Sequence, residues 1–335
     1  MALKIAINGF GRIGRCVARI IDSRDDVELV CVNDTADRAT TKQLLKYDSV
    51  HGGFLGHVEL LELEDDYMQM GKSKVKMFST RDAKELNFAD YGVDVVLECT
   101  GALLTQKDMQ VFIDNGIKKV VLSAPAKDDT PTFVLGVNEE AYAGQTIISN
   151  ASCTTNCLGP VAKILDDAFG IDKGLMTTVH SYTNDQNILD VKHRKNDLRR
   201  ARAAAVNLIP SSTGAAKAIG LVLPHLKGRL HGQSVRVPTP NVSMVDLNVL
   251  LKKETSKEEV NALFSEHAKG KLKGILEVDT EQRVSQDFVT SSWSSVVALD
   301  LTQVICGDMV KVMAWYDNEW GYSTRLVDMA VYVSK

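Results

Sequence analysis

The sequence predicts an α/β protein with a doubly wound parallel sheet and a second, α+β part that contains a large mixed or antiparallel sheet. Three observations predict this fold class. The chain opens with a β-α-β pattern, and its first 150 residues carry short apolar runs that end at turn residues. Its later strands are longer and alternate polar with apolar residues. The length of 335 residues suggests two domains.

The first β-α-β unit is predicted from three adjacent segments. Residues 4–8 are β-branched and alternating, which is typical of a strand. Ile13, Val17 and Ile20 recur at helical spacing within residues 12–22, and a second apolar run follows at 27–32. Further strands of the parallel sheet are expected at 93–97, 119–122, 132–135 and 146–148.

The second half of the chain has a different pattern. Helical spacing from Leu158 continues to Gly170, and Pro160 implies either a kink or a helix start close to it. Long strands are expected at 175–180, 243–251, 294–301 and 310–316, with a closing helix after Trp320. We expect one domain over 1–151 plus the helix at about 318–335, and a second over 152–317.

Composition excludes several classes of protein. Hydrophobic residues make up 44% of the chain and charged residues 24%, which argues against disorder. The net charge of −4 predicts no general attraction to nucleic acids or anionic membranes. No apolar stretch approaches the roughly 20 residues of a membrane span, and the N-terminus lacks a signal-peptide pattern. A soluble cytoplasmic protein is expected.

The six cysteines are scattered through the chain, which does not suggest a disulfide framework. Cys16, Cys31, Cys99 and Cys306 lie in apolar runs and are expected to be buried. Cys153 and Cys157 are close together, but no second Cys or His pair follows at the spacing of a zinc site. No metal is therefore expected.

A glycine motif follows the first strand. Gly9, Gly11 and Gly14 have Gly-x-Gly-x-x-Gly spacing between a strand and a helix, as in Rossmann-type folds. Gly9 suits a tight turn, Gly11 the close approach of a pyrophosphate, and Gly14 a close helix–strand contact. Asp34 follows about 20 residues later, where a carboxylate would bind ribose hydroxyls and repel a 2′-phosphate. NAD is therefore favoured over NADP, although Asp34 also fits a polar strand end.

A candidate nucleophile lies where the two predicted domains join. Cys153 stands among small polar residues at the expected start of a helix, where the helix dipole favours a thiolate of lowered pKa. His180 ends a strand and could act as its base. Cys157 lies one turn further on and is expected to be a packed core thiol. One Cys and one His alone do not assign a function.

Several collinear motifs extend the argument to almost the whole chain. They are Asn8-Gly9-Phe10-Gly11-Arg12-Ile13-Gly14-Arg15, Ala151-Ser152-Cys153-Thr154-Thr155-Asn156-Cys157, His180-Ser181-Tyr182-Thr183, Ser212-Thr213-Gly214-Ala215-Ala216-Lys217, Arg236-Val237-Pro238-Thr239-Pro240 and Trp315-Tyr316-Asp317-Asn318-Glu319-Trp320-Gly321-Tyr322. Together they resemble the phosphorylating glyceraldehyde-3-phosphate dehydrogenases.

The resemblance implies an NAD-dependent oxidoreductase of glycolysis and gluconeogenesis, with Cys153 as nucleophile and His180 as base. Glyceraldehyde 3-phosphate would form a thiohemiacetal and then a thioester, which inorganic phosphate would cleave to 1,3-bisphosphoglycerate. The substrate and phosphate-binding residues that it implies are Ser152, Thr154, Thr183, Thr213, Gly214, Arg236 and an arginine of segment 197–200, with Arg199 favoured over Arg200.

The resemblance also implies a cofactor site and an assembly. The cofactor-binding residues would be Gly9, Gly11, Arg12, Ile13, Gly14, Asp34, Arg81, Ser123 and Asn318. The 152–317 domain would contain the S-loop of the family, at about 181–209, which lies at a subunit interface and implies a homotetramer. No membrane partner is expected, and nucleic acid is not expected as the main partner.

Two departures and two alternatives stay open, and a third alternative is disfavoured. Val191-Lys192 and Thr35 stand where NAD-specific members often carry a Leu-Pro pair and a leucine, so NADP use is not excluded. The nearest alternative is an erythrose-4-phosphate dehydrogenase. A nucleic-acid-binding or surface-binding role on the same fold would rest on the basic S-loop. A Cys–His thiol esterase would leave the glycine motif and Asp34 unused.

Overall fold

The computed structural model describes residues 2–54, 63–64 and 66–335. The chain divides into two compact units. One comprises Met1–Phe133, Glu140–Ser152 and Ser323–Lys335, and the other Val134–Glu139 and Cys153–Tyr322. Within the described residues, each unit is built on one eight-stranded sheet. In that same part of the chain, no helix combines the length and the apolar character that crossing a membrane requires.

The first unit contains the predicted parallel sheet. Its strands are β1 (Leu3–Asn8), β2 (Val27–Asn33), β3 (Leu63–Glu64), β4 (Tyr67–Met70), β5 (Ser73–Phe78), β6 (Val95–Glu98), β7 (Lys119–Leu122) and β8 (Ile147–Ser149), in the order β3-β4-β5-β2-β1-β6-β7-β8. Pairing is parallel from β5 through to β8 and antiparallel at β3 and β4. Its helices are α1 (Arg12–Asp22), α2 (Arg38–Lys46) and α3 (Gln106–Asp114).

The second unit contains a mixed sheet. Its strands are β9 (Ile171–Ser181), β10 (Ile209–Ser212), β11 (Leu230–Val237), β12 (Ser243–Leu251), β13 (Leu276–Asp279), β14 (Ser295–Ala298), β15 (Gln303–Ile305) and β16 (Met309–Tyr316), in the order β10-β11-β9-β12-β16-β14-β13 with β15 beside β16. Its helices are α4 (Cys153–Phe169), α5 (Ala215–Val222) and α6 (Lys257–Lys269), and α7 (Trp320–Val333) closes the chain. The predicted α/β class, with parallel and mixed sheets, is confirmed.

Two local predictions are wrong, and so is one of the two alternatives for Pro160. The run at 132–135 forms only a bridge between Thr132 and Ser149, because a turn closed by the Val137 N–H on the Val134 carbonyl follows, with Gly136 at a φ of +82°. Helix α4 begins at Cys153, as expected for that cysteine, so the alternative of a helix start close to Pro160 is wrong and the proline lies inside the helix. Cys306 is exposed in the β15–β16 turn, whereas Cys16 and Cys31 are buried and Cys99 is half-buried.

Burial on α4 explains why this helix tolerates its proline. Proline cannot donate the backbone hydrogen bond of its turn, which destabilises a helix interior. Leu158, Val161 and Leu165 are fully buried on this helix. Their packing against the second unit's sheet offsets the missing bond.

Candidate active site

The loop after β1 has the backbone geometry of a phosphate-binding turn. Gly9 has a φ of +96°, and a Cβ at this position would lie 2.6 Å from the Thr100 nitrogen. A Cβ at Gly14 would lie 2.3 Å from the Gly9 carbonyl oxygen, so only glycine lets α1 pack this closely. At Gly11 a Cβ would meet no atom within 4 Å. This open space lies at the N-terminus of α1, where the helix dipole favours an anion.

A cavity of about 430 Å³ opens beside this loop, at the carboxyl ends of β1, β2, β5 and β6. Gly9, Gly11, Asp34 and Arg81 line it, as the sequence expects of cofactor-binding residues. The Asp34 carboxylate accepts hydrogen bonds from the backbone N–H groups of Phe10 (2.7 Å) and Ala36 (2.8 Å). Asp34 is therefore fixed at the edge of the cavity.

The other predicted cofactor residues of this unit have different settings. The Arg12 side chain forms an ion pair with Asp48 at 2.5 Å. The part of Arg12 that remains available to the glycine loop is its backbone, in the first turn of α1. Ile13 is half-buried on α1. Ser123 follows β7 and donates its N–H to the Glu98 carbonyl at 2.9 Å, which places it at the same carboxyl edge of the sheet.

In the second unit, the candidate nucleophile and base are neighbours. Cys153 is the first residue of α4, and its Sγ lies 3.7 Å from His180 Nε2 at the end of β9. Just before it, the buried Ala151 adopts a φ of +55°, a left-handed conformation that costs a non-glycine residue free energy. The sequence separates this Cys and His, and the fold brings them into contact.

The hydrogen bonds of His180 define its tautomer. Nδ1 lies 2.7 Å from the Ser181 carbonyl oxygen, which can only accept, and 3.2 Å from Arg236 Nη1, which can only donate. The shorter contact with the carbonyl places the proton on Nδ1, so Nε2 presents a lone pair to the thiol. Burial and the charge of Arg236 lower the pKa of His180 to about 3. The ring is therefore neutral at physiological pH, with its single proton on Nδ1.

The environment of Cys153 differs from the sequence prediction. Burial raises the pKa of the Cys153 thiol, while the charge of Arg236 and a hydrogen bond with Thr154 lower it by less. The predicted lowering of the Cys153 pKa by the helix terminus is therefore wrong, because desolvation of the thiolate outweighs it. Burial also raises the pKa of Cys157, which is fully buried as predicted.

A cluster of cations and hydroxyls lies beside the Cys–His pair. Arg236 Nη1 donates to the Ser181 carbonyl (3.1 Å) and to Thr183 Oγ1 (3.2 Å). Thr183 Oγ1 donates to Asp185 (2.5 Å), and Asp185 pairs with Arg200 at 2.9 Å. The sequence favours Arg199, but that side chain is exposed, and the structure brings Arg200 into the cluster instead.

The remaining predicted residues have other positions and partners. Thr213 Oγ1 accepts from the Ala215 N–H (3.2 Å), and Gly214 caps α5. Ser152 directly precedes Cys153 in the chain. Asn318 Oδ1 accepts from the hydroxyls of Ser181 (2.9 Å) and Ser243 (2.8 Å), which leaves its NH₂ group to donate elsewhere.

Comparison with known proteins decides the family. Residues 3–106 match the model "Glyceraldehyde 3-phosphate dehydrogenase, NAD binding domain", and residues 152–318 match "Glyceraldehyde 3-phosphate dehydrogenase, C-terminal domain". The chain belongs to the glyceraldehyde-3-phosphate dehydrogenase family.

Full-length relatives agree with this assignment. The chain is 53% identical to glyceraldehyde-3-phosphate dehydrogenase 1 of Bacillus cereus, over 99% of this chain and 98% of the relative. It is 51% identical to the enzyme of Geobacillus stearothermophilus, over 100% and 99%. It is 53% identical to the chloroplastic form B of Pisum sativum, over 99% and 74%. The predicted family, enzyme class and NAD cofactor are confirmed.

Sequence reasoning missed two functional neighbours in this member of the glyceraldehyde-3-phosphate dehydrogenase family. The Tyr316 hydroxyl lies 2.9 Å from Thr154 Oγ1 and 2.8 Å from Thr178 Oγ1, so it holds the hydroxyl next to the nucleophile. Asp185 joins Thr183 to Arg200. Both residues lie in segments that the sequence analysis singled out, but only the fold shows what they contact.

Proposed function

We propose that this chain catalyses the NAD-dependent oxidative phosphorylation of glyceraldehyde 3-phosphate to 1,3-bisphosphoglycerate in glycolysis and gluconeogenesis. The observation that carries the proposal is the 3.7 Å contact between Cys153 Sγ and the unprotonated Nε2 of a neutral His180. A thiol beside a fixed acceptor nitrogen is the arrangement that covalent catalysis on a carbonyl requires.

The chemistry follows from these two side chains. As the Cys153 sulfur adds to the aldehyde carbon, its thiol proton passes to His180 Nε2. Return of that proton to the former carbonyl oxygen gives the thiohemiacetal hydroxyl. His180 Nε2 takes the proton of this hydroxyl as the carbon is oxidised, and bound NAD supplies the hydride acceptor. The resulting thioester on Cys153 is cleaved when a phosphate oxygen attacks its carbon, which releases the acyl phosphate and the thiolate.

Two phosphate groups need binding during this cycle, one on the substrate and one that attacks. We assign them to Arg236, Arg200, Thr183, Ser152, Thr154, Thr213 and Gly214. Arg200 replaces Arg199 in this set because Asp185 holds its guanidinium in the cluster, 2.9 Å away. Two arginines supply the charge-assisted hydrogen bonds that phosphate oxygens favour.

NAD fits the first unit's cavity. The open space at Gly11, the first turn of α1 at Arg12 and Ile13, and the fixed Asp34 suit a pyrophosphate and a ribose without a 2′-phosphate. Arg81 and Ser123 would contact the nucleotide, and the Asn318 NH₂ would orient the nicotinamide carboxamide. A higher kcat/KM with NADP than with NAD would contradict the role of Asp34.

We further propose a cytoplasmic homotetramer. Residues 181–209 expose large apolar side chains, among them Ile188 at 81%, Leu189 at 72% and Leu198 at 85%, which fits a surface covered by another subunit. We also propose domains at 1–151 with about 318–335, and at 152–317. They differ from the two compact units in the assignment of residues 134–139, 152 and 318–322. Sedimentation equilibrium of the full chain tests the tetramer, and a monomer at micromolar concentration contradicts it.

Absorbance of reduced nicotinamide tests the activity. With glyceraldehyde 3-phosphate, NAD and inorganic phosphate, we expect multiple turnovers, and without phosphate at most one NADH per active site. A higher kcat/KM with erythrose 4-phosphate would assign the alternative substrate. Turnover that is independent of phosphate would refute the thioester mechanism.

A further inference from the structure

A row of buried polar side chains crosses the first unit's sheet at the carboxyl ends of its parallel strands. Glu98, Asn8 and Asn33 end β6, β1 and β2 in register, and their exposed fractions are 0%, 3% and 5%. Asn8 Nδ2 donates to Glu98 Oε2 at 2.6 Å, and Asn33 Nδ2 donates to Asn8 Oδ1 at 2.7 Å. The Thr80 N–H donates to Asn33 Oδ1 at 3.0 Å and ends the row.

Glu98 sets the direction of every bond in this row. An ionised carboxylate only accepts hydrogen bonds, so Asn8 must turn its NH₂ group toward it. The Asn8 oxygen then faces Asn33, whose NH₂ group must in turn face Asn8. Because an unpaired buried amide is costly, one reversed amide would disrupt the whole row.

The same carboxylate connects two loops of the cofactor cavity. Glu98 Oε1 accepts from the Thr100 N–H at 2.8 Å and from the Thr100 hydroxyl. The Thr100 nitrogen is the atom that a Cβ on Gly9 would strike. The row is also followed directly along the chain by residues that line the cavity, namely Gly9, Asp34 and Arg81.

We infer that Glu98 is a positioning residue for NAD, whose carboxylate holds the loops after β1 and β6 at the spacing that the dinucleotide requires. The inference rests on the proposed function. Burial raises the pKa of Glu98 to about 7, although hydrogen bonds from Thr100 and Asn8 oppose this rise. The carboxylate is therefore ionised in mildly alkaline solution.

The test is Glu98→Gln in the full chain, assayed at about pH 8.5, well above the pKa of Glu98. The new side-chain amide would present an NH₂ group to donors, so we expect the Kd of NAD to rise about tenfold, as for the loss of one charged hydrogen bond. The KM of the aldehyde at saturating NAD should change by less than about twofold, because the aldehyde contacts other residues.

A double variant separates positioning from general damage. In Asn8→Asp with Glu98→Gln, the carboxylate and the amide exchange places, and every hydrogen bond of the row can form again. We expect the Kd of NAD to return to within about threefold of the unmodified chain. Asp279→Asn is the matched control, because Asp279 is a buried carboxylate of the second unit that also accepts backbone N–H groups. It should lower the melting temperature and leave the Kd of NAD unchanged.

Each outcome decides the matter. An unchanged Kd in folded Glu98→Gln, or a double variant no better than the single one, overturns the inference. If Glu98→Gln does not fold, a double variant that folds and binds NAD supports it, and one that does not fold overturns it. An unmodified chain that fails to bind NAD refutes the proposed function instead.

Discussion

The two candidate sites of this molecule are assembled in different ways. The cofactor cavity is built from residues that directly follow neighbouring parallel strands, such as Gly9 after β1 and Asp34 after β2. The Cys153 cluster is built from a helix start, a strand end, a loop and a second strand, joined by side-chain contacts such as those of Arg236. We call the cofactor cavity the strand-end site and the Cys153 cluster the convergent site. The strand-end site depends on local backbone geometry, whereas the convergent site depends on long-range packing and charge.

The largest effect should come from the centre of the convergent site. Cys153→Ala removes the nucleophile, so we expect turnover to fall by at least about 10⁴-fold. The Kd of NAD should change by less than about twofold, because other residues line the cofactor cavity. Stopped-flow turnover and calorimetric titration with NAD measure the two. A large loss of NAD affinity would show that the two sites are not independent.

His180→Asn should reduce turnover by about 10²- to 10⁴-fold, the usual contribution of a general base. Asn cannot take up the hydroxyl proton, although it retains a hydrogen-bonding side chain. Single-turnover NADH formation measures the oxidation step directly. Normal single-turnover rates would show that His180 does not accept this proton.

Within the strand-end site, two glycines should respond differently. Gly14→Ala places a methyl group 2.3 Å from the Gly9 carbonyl, so it should lower the melting temperature and weaken NAD binding by about 100-fold. In Gly11→Ala the methyl group would contact no protein atom within 4 Å, so the melting temperature should not change. The methyl group would, however, occupy the open space that we assign to the pyrophosphate. Thermal melts and NAD titrations of both variants make the comparison. Equal melting temperatures would contradict the packing role of Gly14.

The adjacent arginines of the S-loop should also differ. Arg200→Gln removes a charge-assisted hydrogen bond, so the KM of the aldehyde should rise about 10- to 100-fold. Arg199→Gln changes an exposed side chain and should have an effect below about twofold. Steady-state kinetics at saturating NAD measure both. If Arg199→Gln has the larger effect, the loop rearranges when the substrate binds.

The smallest predicted effect is electrostatic. The positive charge of Arg236 lowers the pKa of the half-buried Cys153 thiol, so Arg236→Gln should raise this pKa. The thiolate is the reactive form, and its alkylation curve should therefore move to higher pH. Iodoacetamide alkylation of the ligand-free chain across pH measures the shift, with Arg199→Gln as the control. A shift to lower pH would contradict this sign.

The sequence predicts the strand-end site more completely than the convergent one. Gly9, Gly14 and Asp34 are identifiable because each is required by a backbone conformation or by a fixed position after a strand. The proposed choice of Arg200 over Arg199 rests on an ion pair with Asp185, which spacing cannot show. The pKa of Cys153 also escapes prediction, because desolvation depends on how completely the fold buries the thiol. Pro160 shows the same limit of sequence-based prediction. A proline usually interrupts a helix, but α4 continues through it because its neighbours on the helix are packed in the core.

The hydrogen bonds of Asp34 have a consequence for protein engineering. This carboxylate accepts a hydrogen bond from the Phe10 N–H in the glycine loop, in addition to its proposed contact with the ribose. A redesign for NADP that replaces Asp34 alone would therefore leave the Phe10 N–H without this hydrogen-bond acceptor. A change of cofactor preference to NADP needs a substitute acceptor for this N–H, such as a serine or asparagine oxygen. It also needs a positively charged side chain for the 2′-phosphate.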